Sequence, residues 1–371
     1  MIRRSLLGAL LAAPAVAQQH QHHAPALRPQ PPSPHPFANV FQGGAPHHIT
    51  PAQAAQRVVD SPAPMGPPGR WVSRTDMPIP RSEMAWATEW NGRMHVVGGY
   101  GEGQFNRAYH TVYDPASNRW YDAAPLPRGA NHVAVVAHAG RVYALGGFIE
   151  QNRRCDDLAF IYEAAEDRWR EIARLPRPRG AAAAVVLAGK IHLIGGATDP
   201  ADERASIGWH EVYDPATDRW ERRRPMPFAR DHVGCVAHNG LIHLVGGRSN
   251  TFQFNSADHH VWLPDRDFWE ERAPMPTARS GHGMVVYRGR LFCMGGEGGI
   301  IERGQARDAK VFGQMESYDP ATNRWQQHAP MPTPRHAVAA VTIGDWIYVA
   351  GGGAILGGAV QSALHEAFTL G

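Results

Sequence analysis

Six glycine pairs begin at Gly98, Gly146, Gly195, Gly246, Gly295 and Gly351, and the residues best equipped for chemistry stand at fixed distances from them. Fifteen positions before each pair come Glu83, Asn131, Gly180, Asp231, Ser280 and His336; fourteen before come Met84, His132, Ala181, His232, Gly281 and Ala337. Just beyond the pairs come Tyr100, Phe148, Ala197, Arg248, Glu297 and Gly353. Acids, amides, imidazoles and a guanidinium therefore replace one another where a repeat has no structural need to vary. Glu83, Asn131, His132, Asp231, His232, Arg248, His282, Glu297 and His336 are the candidate ligand-binding residues. Gathered at one opening, they would form a polar pocket for a small polyol or acid. The competing reading is a set of ordinary solvated loop charges. No residue is assigned as catalytic or as a metal ligand on this part of the chain, and no cofactor is called for.

Elements of a strict repeat must position these residues. Tryptophans recur at Trp71, Trp120, Trp169, Trp220, Trp269 and Trp325, each six residues before a Met-Pro or Leu-Pro and 26 before a glycine pair, or 27 in the first unit. An aromatic precedes each later Trp by seven: Tyr113, Tyr162, Tyr213, Trp262 and Tyr318. Short apolar runs such as Leu241-Ile242-His243-Leu244-Val245 lead into the pairs and read as strands. Fixed-offset aromatics then fill the space between neighbouring sheets, and glycines allow close backbone approach. An arginine lies ten after Trp at Arg81, Arg179, Arg230, Arg279 and Arg335, while the second unit has Ala130 there and Arg128 two earlier. Because these arginines recur, they read as structural, bonding loop carbonyls between adjacent units.

The glycine pairs, the Tyr-Asp-Pro at Tyr113, Tyr213 and Tyr318 and the period near 50 residues resemble kelch repeats over about residues 70 to 371. The resemblance implies an all-β, six-bladed propeller of four-stranded blades packed around a channel. Trp71 opens the array without a preceding glycine pair, and the last unit stops at Gly371 without its Trp strand. The strand around Trp71 should therefore complete the sixth blade beside Leu364 to Leu370, so that no sheet edge is left open. From each pair to the next aromatic, counting Phe368, the interval is 15, 16, 18, 16, 23 and 17 residues. Length varies in the loops between second and third strands, and binding should collect on the face they share with the starts of the innermost strands.

Neighbouring blades present equivalent positions side by side, which predicts one cluster of Asp231, His232, Arg248 and Glu297 across blades 4 and 5. Read as a rim charge, Arg248 is expected to matter for an anionic ligand and little for stability. The expected function is binding of a small molecule, glycan or protein through the loop face, with catalysis not established. Family resemblance supplies an alternative, a carbohydrate mutarotase or epimerase like those acting on sialic acid. Such an enzyme needs an acid, a base and a cation for the carboxylate, roles open to Glu83 or Glu297, a histidine and Arg248. Copper radical oxidases of this fold require a Tyr crosslinked to Cys, yet Cys235 and Cys293 sit in strand patterns and only Cys155 in a loop.

The start of the chain reads as an address. Arg3-Arg4, an apolar stretch from Leu6 to Val16 and Ala15-Val16-Ala17 predict a signal peptide over 1–17, of Sec or twin-arginine type, and hence a periplasmic or secreted protein. Residues 18–70 follow as a Pro/His-rich linker with a short helix over 51–59, and its histidines are a weak metal-binding tract. The propeller occupies 71–371. A net charge of +3 gives no field for nucleic acid, no stretch is long and apolar enough to span a bilayer, and three cysteines make no disulfide framework.

Overall fold

The structure, a computed structural model, describes residues 63–84, 86–150, 154–198, 205–249, 255–302, 305–358 and 360–371. The predicted signal peptide, most of the linker and the helix over 51–59 lie outside the described residues. Six four-stranded antiparallel sheets form the blades. Blade 1 runs Ala87–Trp90, Arg93–Val97, His110–Asp114, Arg119–Ala123 from the axis outward, and blades 2 to 5 repeat this order. Blade 6 takes three strands from the C-terminal end, Ala339–Ile343, Trp346–Ala350 and His365–Thr369, and its outer strand is Arg70–Ser73. Trp71 faces Phe368 across that last pair. The innermost strands of blades 1 and 6 touch as those of every other neighbouring pair do, so the ring is closed.

Second strands are buried along nearly their whole length, because neighbouring blades cover both faces of each sheet. Outer strands such as Arg119–Ala123 cover one neighbour, with Trp120 and Ala123 half-buried and the rest exposed. Within each blade a tight turn joins first to second strand; at Asn91-Gly92 both residues have positive φ (54° and 73°), the geometry a two-residue hairpin requires. Strict Trp spacing has a physical origin. Each Trp Nε1 donates to the carbonyl where the preceding blade's outer strand ends, as in Trp169 to Ala124 (2.8 Å), Trp220 to Ala173 (2.9 Å) and Trp325 to Ala273 (2.8 Å). Trp71 makes the same bond to Ala329 at 2.9 Å, so the closing strand is stitched like the rest. A Cβ on Gly98 would stand 2.5 Å from the Ala130 carbonyl of the next blade, which is why these pairs are glycine.

The expected linker extends to Arg70, but residues from Pro64 onward already lie along the outer edge of blade 5. The Gln327 amide donates to the Pro64 carbonyl (3.0 Å), the Gly66 amide to Gln327 (2.9 Å) and the Ala329 amide to Pro68 (2.8 Å). That edge strand's free carbonyls and amides are thereby paired.

Candidate functional site

Before each innermost strand the chain passes close to the axis in a left-handed residue: Glu83, His132, Ala181, His232, Gly281 and Ala337, with φ between 48° and 61°. Their backbones bond in series around the axis: His132 N to Glu83 O (2.8 Å), Ala181 N to His132 O (3.1 Å), His232 N to Ala181 O (3.2 Å), Gly281 N to His232 O (3.1 Å), Ala337 N to Gly281 O (2.6 Å). This ring corrects the alignment drawn from the glycine pairs. Glu83 is the counterpart of His132, not of Asn131, because the first unit carries one residue more between Trp71 and Gly98 and the extra residue falls after Glu83. Residues one step earlier bridge to those beyond the glycine pairs, Asn131 to Phe148, Asp231 to Arg248, Ser280 to Glu297 and His336 to Gly353. Bridging of this kind sets Arg248 beside Asp231 and holds Glu297 one blade away.

Side chains from five blades meet inside the ring. Arg248 Nη1 donates to Glu297 Oε1 (2.6 Å), Nε to Asp231 Oδ1 (3.0 Å) and Nη2 to His232 Nε2 (3.1 Å). His232 Nδ1 bonds Asp231 Oδ1, and His132 Nδ1 bonds Asn131 Oδ1. Glu83 Oε2 lies 2.6 Å from His132 Nε2, and His336 Nδ1 stands 3.7 Å from Glu83 and 3.5 Å from Glu297. The His132 and His232 rings are edge to face at 4.6 Å. Four residues expected in one cluster across blades 4 and 5 do converge, with Glu83, His132 and His336 joining them.

Two expectations need correction. Arg248 is expected at the rim of an opening, as a charge that matters little for stability, yet it is 8 % exposed, Glu297 2 % and Asp231 fully buried. The glycine-rich loop of blade 6 covers them: Gly357 N donates to Glu297 Oε2 (3.2 Å) and Ser82 Oγ to Gly358 O (2.9 Å) beside Glu83. His282 does not join the cluster; it packs against Gly234 and Gly246 between blades 4 and 5, where those glycines leave room for its ring. Asn131 acts from outside the centre by orienting His132.

Burial governs the electrostatics. It alone would raise the Glu83 carboxyl, but the facing His132 and His336 imidazoles hold it well below the usual carboxylate range. For Arg248, burial works against the charge and is outweighed by Asp231 and Glu297, so the guanidinium is held more firmly than usual. Burial, then the Arg248 charge, pushes His232 well below its ordinary value, and burial takes His282 down to about 3.

The recurring arginines are buried, and their guanidinium groups bond within their own blade and not, as expected, between adjacent units. Arg81 donates to the Gly98 carbonyl (3.0 Å), Arg335 to Gly351 (3.0 Å) and Leu364 (2.7 Å). Each also meets a polar residue two positions before the repeat aromatic: Thr111, Glu211, His260, Glu316 or Glu366. Blade 2, which has Ala130 instead of the arginine, carries Phe160 at that position.

Sequence reasoning missed two features. Trp86 packs against the apolar cluster of blades 3 and 4 that includes Ala183, Val233 and Cys235, so it reaches across the axis from blade 1. It lines a channel cavity of ≈ 410 Å³ walled by innermost-strand residues such as Val135, Val186 and Val286. Its signal was a tryptophan at a position that is Ala or Gly in the other five units. Buried histidine pairs recur in blades 1, 3 and 4, as His95–His110 (2.9 Å), His192–His210 (2.8 Å) and His243–His259 (2.9 Å). Histidines three before both the glycine pair and the aromatic marked them. Burial lowers His95, His192 and His243 to about 4.

Among known proteins, the chain is 29% identical over 320 residues to "Kelch-like protein terF" of Aspergillus terreus, covering 78% of this chain and 66% of that one. It is 44% identical over 167 residues to human "Kelch-like protein 35", covering 43% and 27% respectively. The chain thus spans less than two thirds of the length of either relative. The solved structure titled "Structure of YjhT" superposes with a TM-score of 0.67 at 14% identity, over 80% of this chain and 96% of that one, and so shares the fold. The KLHDC2/KLHL20/DRC7 Kelch-repeats domain matches residues 70–247 and 183–366, the same stretch that forms the six stitched blades, and the chain belongs to the kelch-repeat family.

Proposed function

We propose that the protein is exported by the signal segment over 1–17 and works as a binding propeller, its propeller domain over 71–371 taking a small anionic, hydroxyl-rich ligand at the loop-face end of the axis. One observation carries this reading: Glu83, His132, Asp231, His232, Arg248, Glu297 and His336 converge from five blades at positions whose counterparts are mostly Ala, Gly or Ser, so the fold itself does not require them. Arg248 supplies the cation for a carboxylate, and the carboxylates and imidazoles accept and donate hydrogen bonds to hydroxyls. Exposed Phe105 and Ile355 sit on the blade 1 and blade 6 loops, which meet through Gln104 Nε2 and Gly357 O at 3.1 Å. They offer an apolar fringe to the carbon face of a sugar. Movement of the blade 6 loop admits the ligand.

The test is a thermal-shift screen of the full chain against neutral sugars, uronic acids and sialic acids, since a ligand of the native state raises its midpoint. A rise with the acids and not with their neutral counterparts is expected; no rise with any acid overturns the reading. A carbohydrate mutarotase is the second reading, favoured by the Glu83–His132 couple at 2.6 Å, an acid and a base within reach of one hydroxyl. Magnetisation-exchange NMR on an anomeric mixture separates the two, because a binder leaves the exchange rate at its uncatalysed value.

A further inference from the structure

Donor and acceptor arithmetic places a proton on the outer nitrogen of both rings at the centre. Asn131 Nδ2 donates to Asn106 Oδ1 (2.6 Å) and Phe148 O (3.3 Å), which leaves Oδ1 as the acceptor and places a proton on His132 Nδ1, while the proton shared by His132 Nε2 and Glu83 Oε2 (2.6 Å) is the one an ion must displace. Asp231 only accepts, so His232 also carries its proton on Nδ1, and Arg248 only donates, so His232 Nε2 presents a lone pair. Two imidazoles on equivalent ring positions are thus oriented by the residue preceding each, with Nε2 turned inward. A carbonyl or carboxylate on the outer ring nitrogen is how metal-binding histidines are positioned. Between them stands Glu83, and the ligand atoms of Glu83, His132 and His232 all lie within 4.8 Å of one another.

We propose that Glu83, His132 and His232 form a buried site for one divalent transition-metal ion of the zinc class. Two imidazole nitrogens and one carboxylate oxygen are a donor set for such ions, with a position left for an exogenous ligand. Tetrahedral ligands at about 2.1 Å stand about 3.4 Å apart, so closing the set takes side-chain shifts of about 1 Å. Charge agrees with this assignment. Once the proton between Glu83 and His132 has left, Glu83, Asp231 and Glu297 face one guanidinium among the described residues, Arg248, which leaves two formal negative charges for a divalent ion to balance. On loading, His232 Nε2 exchanges Arg248 for the ion, while Arg248 keeps Asp231 and Glu297. Entry is beneath the blade 6 loop over Glu83. The site shares Glu83, His132 and His232 with the ligand reading but does not depend on it, because the sugar-acid screen runs without metal and the Co²⁺ titration without sugar.

The experiment uses the full chain with His20, His22, His23, His35, His47 and His48 replaced by Asn, so that the tail does not compete. Co²⁺ is titrated as probe, followed by its visible d–d absorption and by calorimetry. One equivalent and a d–d band are expected, and Zn²⁺ at a hundredfold excess over its Kd should raise the melting midpoint by about 4 °C. Glu83→Gln, nearly isosteric and still able to bond His132, should weaken Co²⁺ at least about tenfold and change the band. No stoichiometric binding in the tail variant overturns the proposal, and so does an unchanged affinity and spectrum in Glu83→Gln with native circular dichroism.

Discussion

Arg248→Ala tests whether the axial cluster is a solvated rim or a buried charge network. In the structure Arg248 is the guanidinium that bridges Asp231 and Glu297, both essentially out of water. Removing one partner of such a set leaves uncompensated buried carboxylates, a loss of about 3–5 kcal/mol. With an unfolding entropy of about 2 cal/mol/K per residue over a propeller of about 300 residues, that corresponds to a fall of about 5–8 °C in Tm. Differential scanning calorimetry at pH 7 reads it directly. An internal control is Arg288, whose ion pair with Asp345 is equally short (2.6 Å) but lies at the surface, with side chains 40% and 54% exposed. Arg288→Ala should shift Tm by no more than about 1 °C. Replacing all three members, as Arg248→Met with Asp231→Asn and Glu297→Gln, should recover most of the loss, because the unpaired charges go with the arginine. An Arg248→Ala melt within 1 °C of the parent would refute the buried-network reasoning and restore the rim expected from sequence.

The histidine pairs make the propeller sensitive to acid. His95, His192 and His243 titrate near 4 when folded and near 6.5 when unfolded, so the unfolded chain binds more protons between those values. Their stabilising contribution is complete above about pH 6.5 and is lost on descending toward pH 4, at about 1.4 kcal/mol per pH unit for each imidazole. A urea midpoint that stays level from pH 7 to 5 would contradict this. Closure predicts that deleting Gly69 to Val72 lowers a single cooperative transition, because the blade 6 edge and the Trp71–Ala329 bond are lost together. A calorimetric trace with the parent's midpoint would show instead that the outer strand is dispensable.

Much of the fold was legible because its contacts repeat. Each Trp must reach the preceding blade's carbonyl, so its distance from the glycine pair is held at 26 in five units and 27 in the first, and six such units imply six blades. The site was legible as a set of positions and less so as a geometry. One additional residue after Glu83 displaced the first unit's register, and counting forward from Trp71 would have paired Glu83 with His132. Burial of the cluster was not legible, because what covers it is the blade 6 loop, whose glycines advertise backbone freedom and not the side chains beneath. The histidine pairs lay open in the offsets; their pairing depends on strand register, which alternation alone does not fix.

A radial repeat brings six equivalent residues to one point on the axis, so the size of each decides what the others can be. Here Glu83, His132 and His232 are large and Ala181, Gly281 and Ala337 are small, and a Cβ on Gly281 would already stand 3.8 Å from His336 Nδ1 and 3.9 Å from His232 Cδ2. Small residues in blades 3, 5 and 6 are thus as necessary to the cluster as the ionisable ones, since they leave the volume into which Arg248, Glu297 and His336 extend. All six share left-handed φ, which glycine adopts at least cost. Glu and His at three of these positions accept backbone strain and the burial of ionisable groups together, costs that a purely structural plug of Ala and Gly would avoid. That asymmetry within a symmetric ring is the physical basis for placing function at the axis.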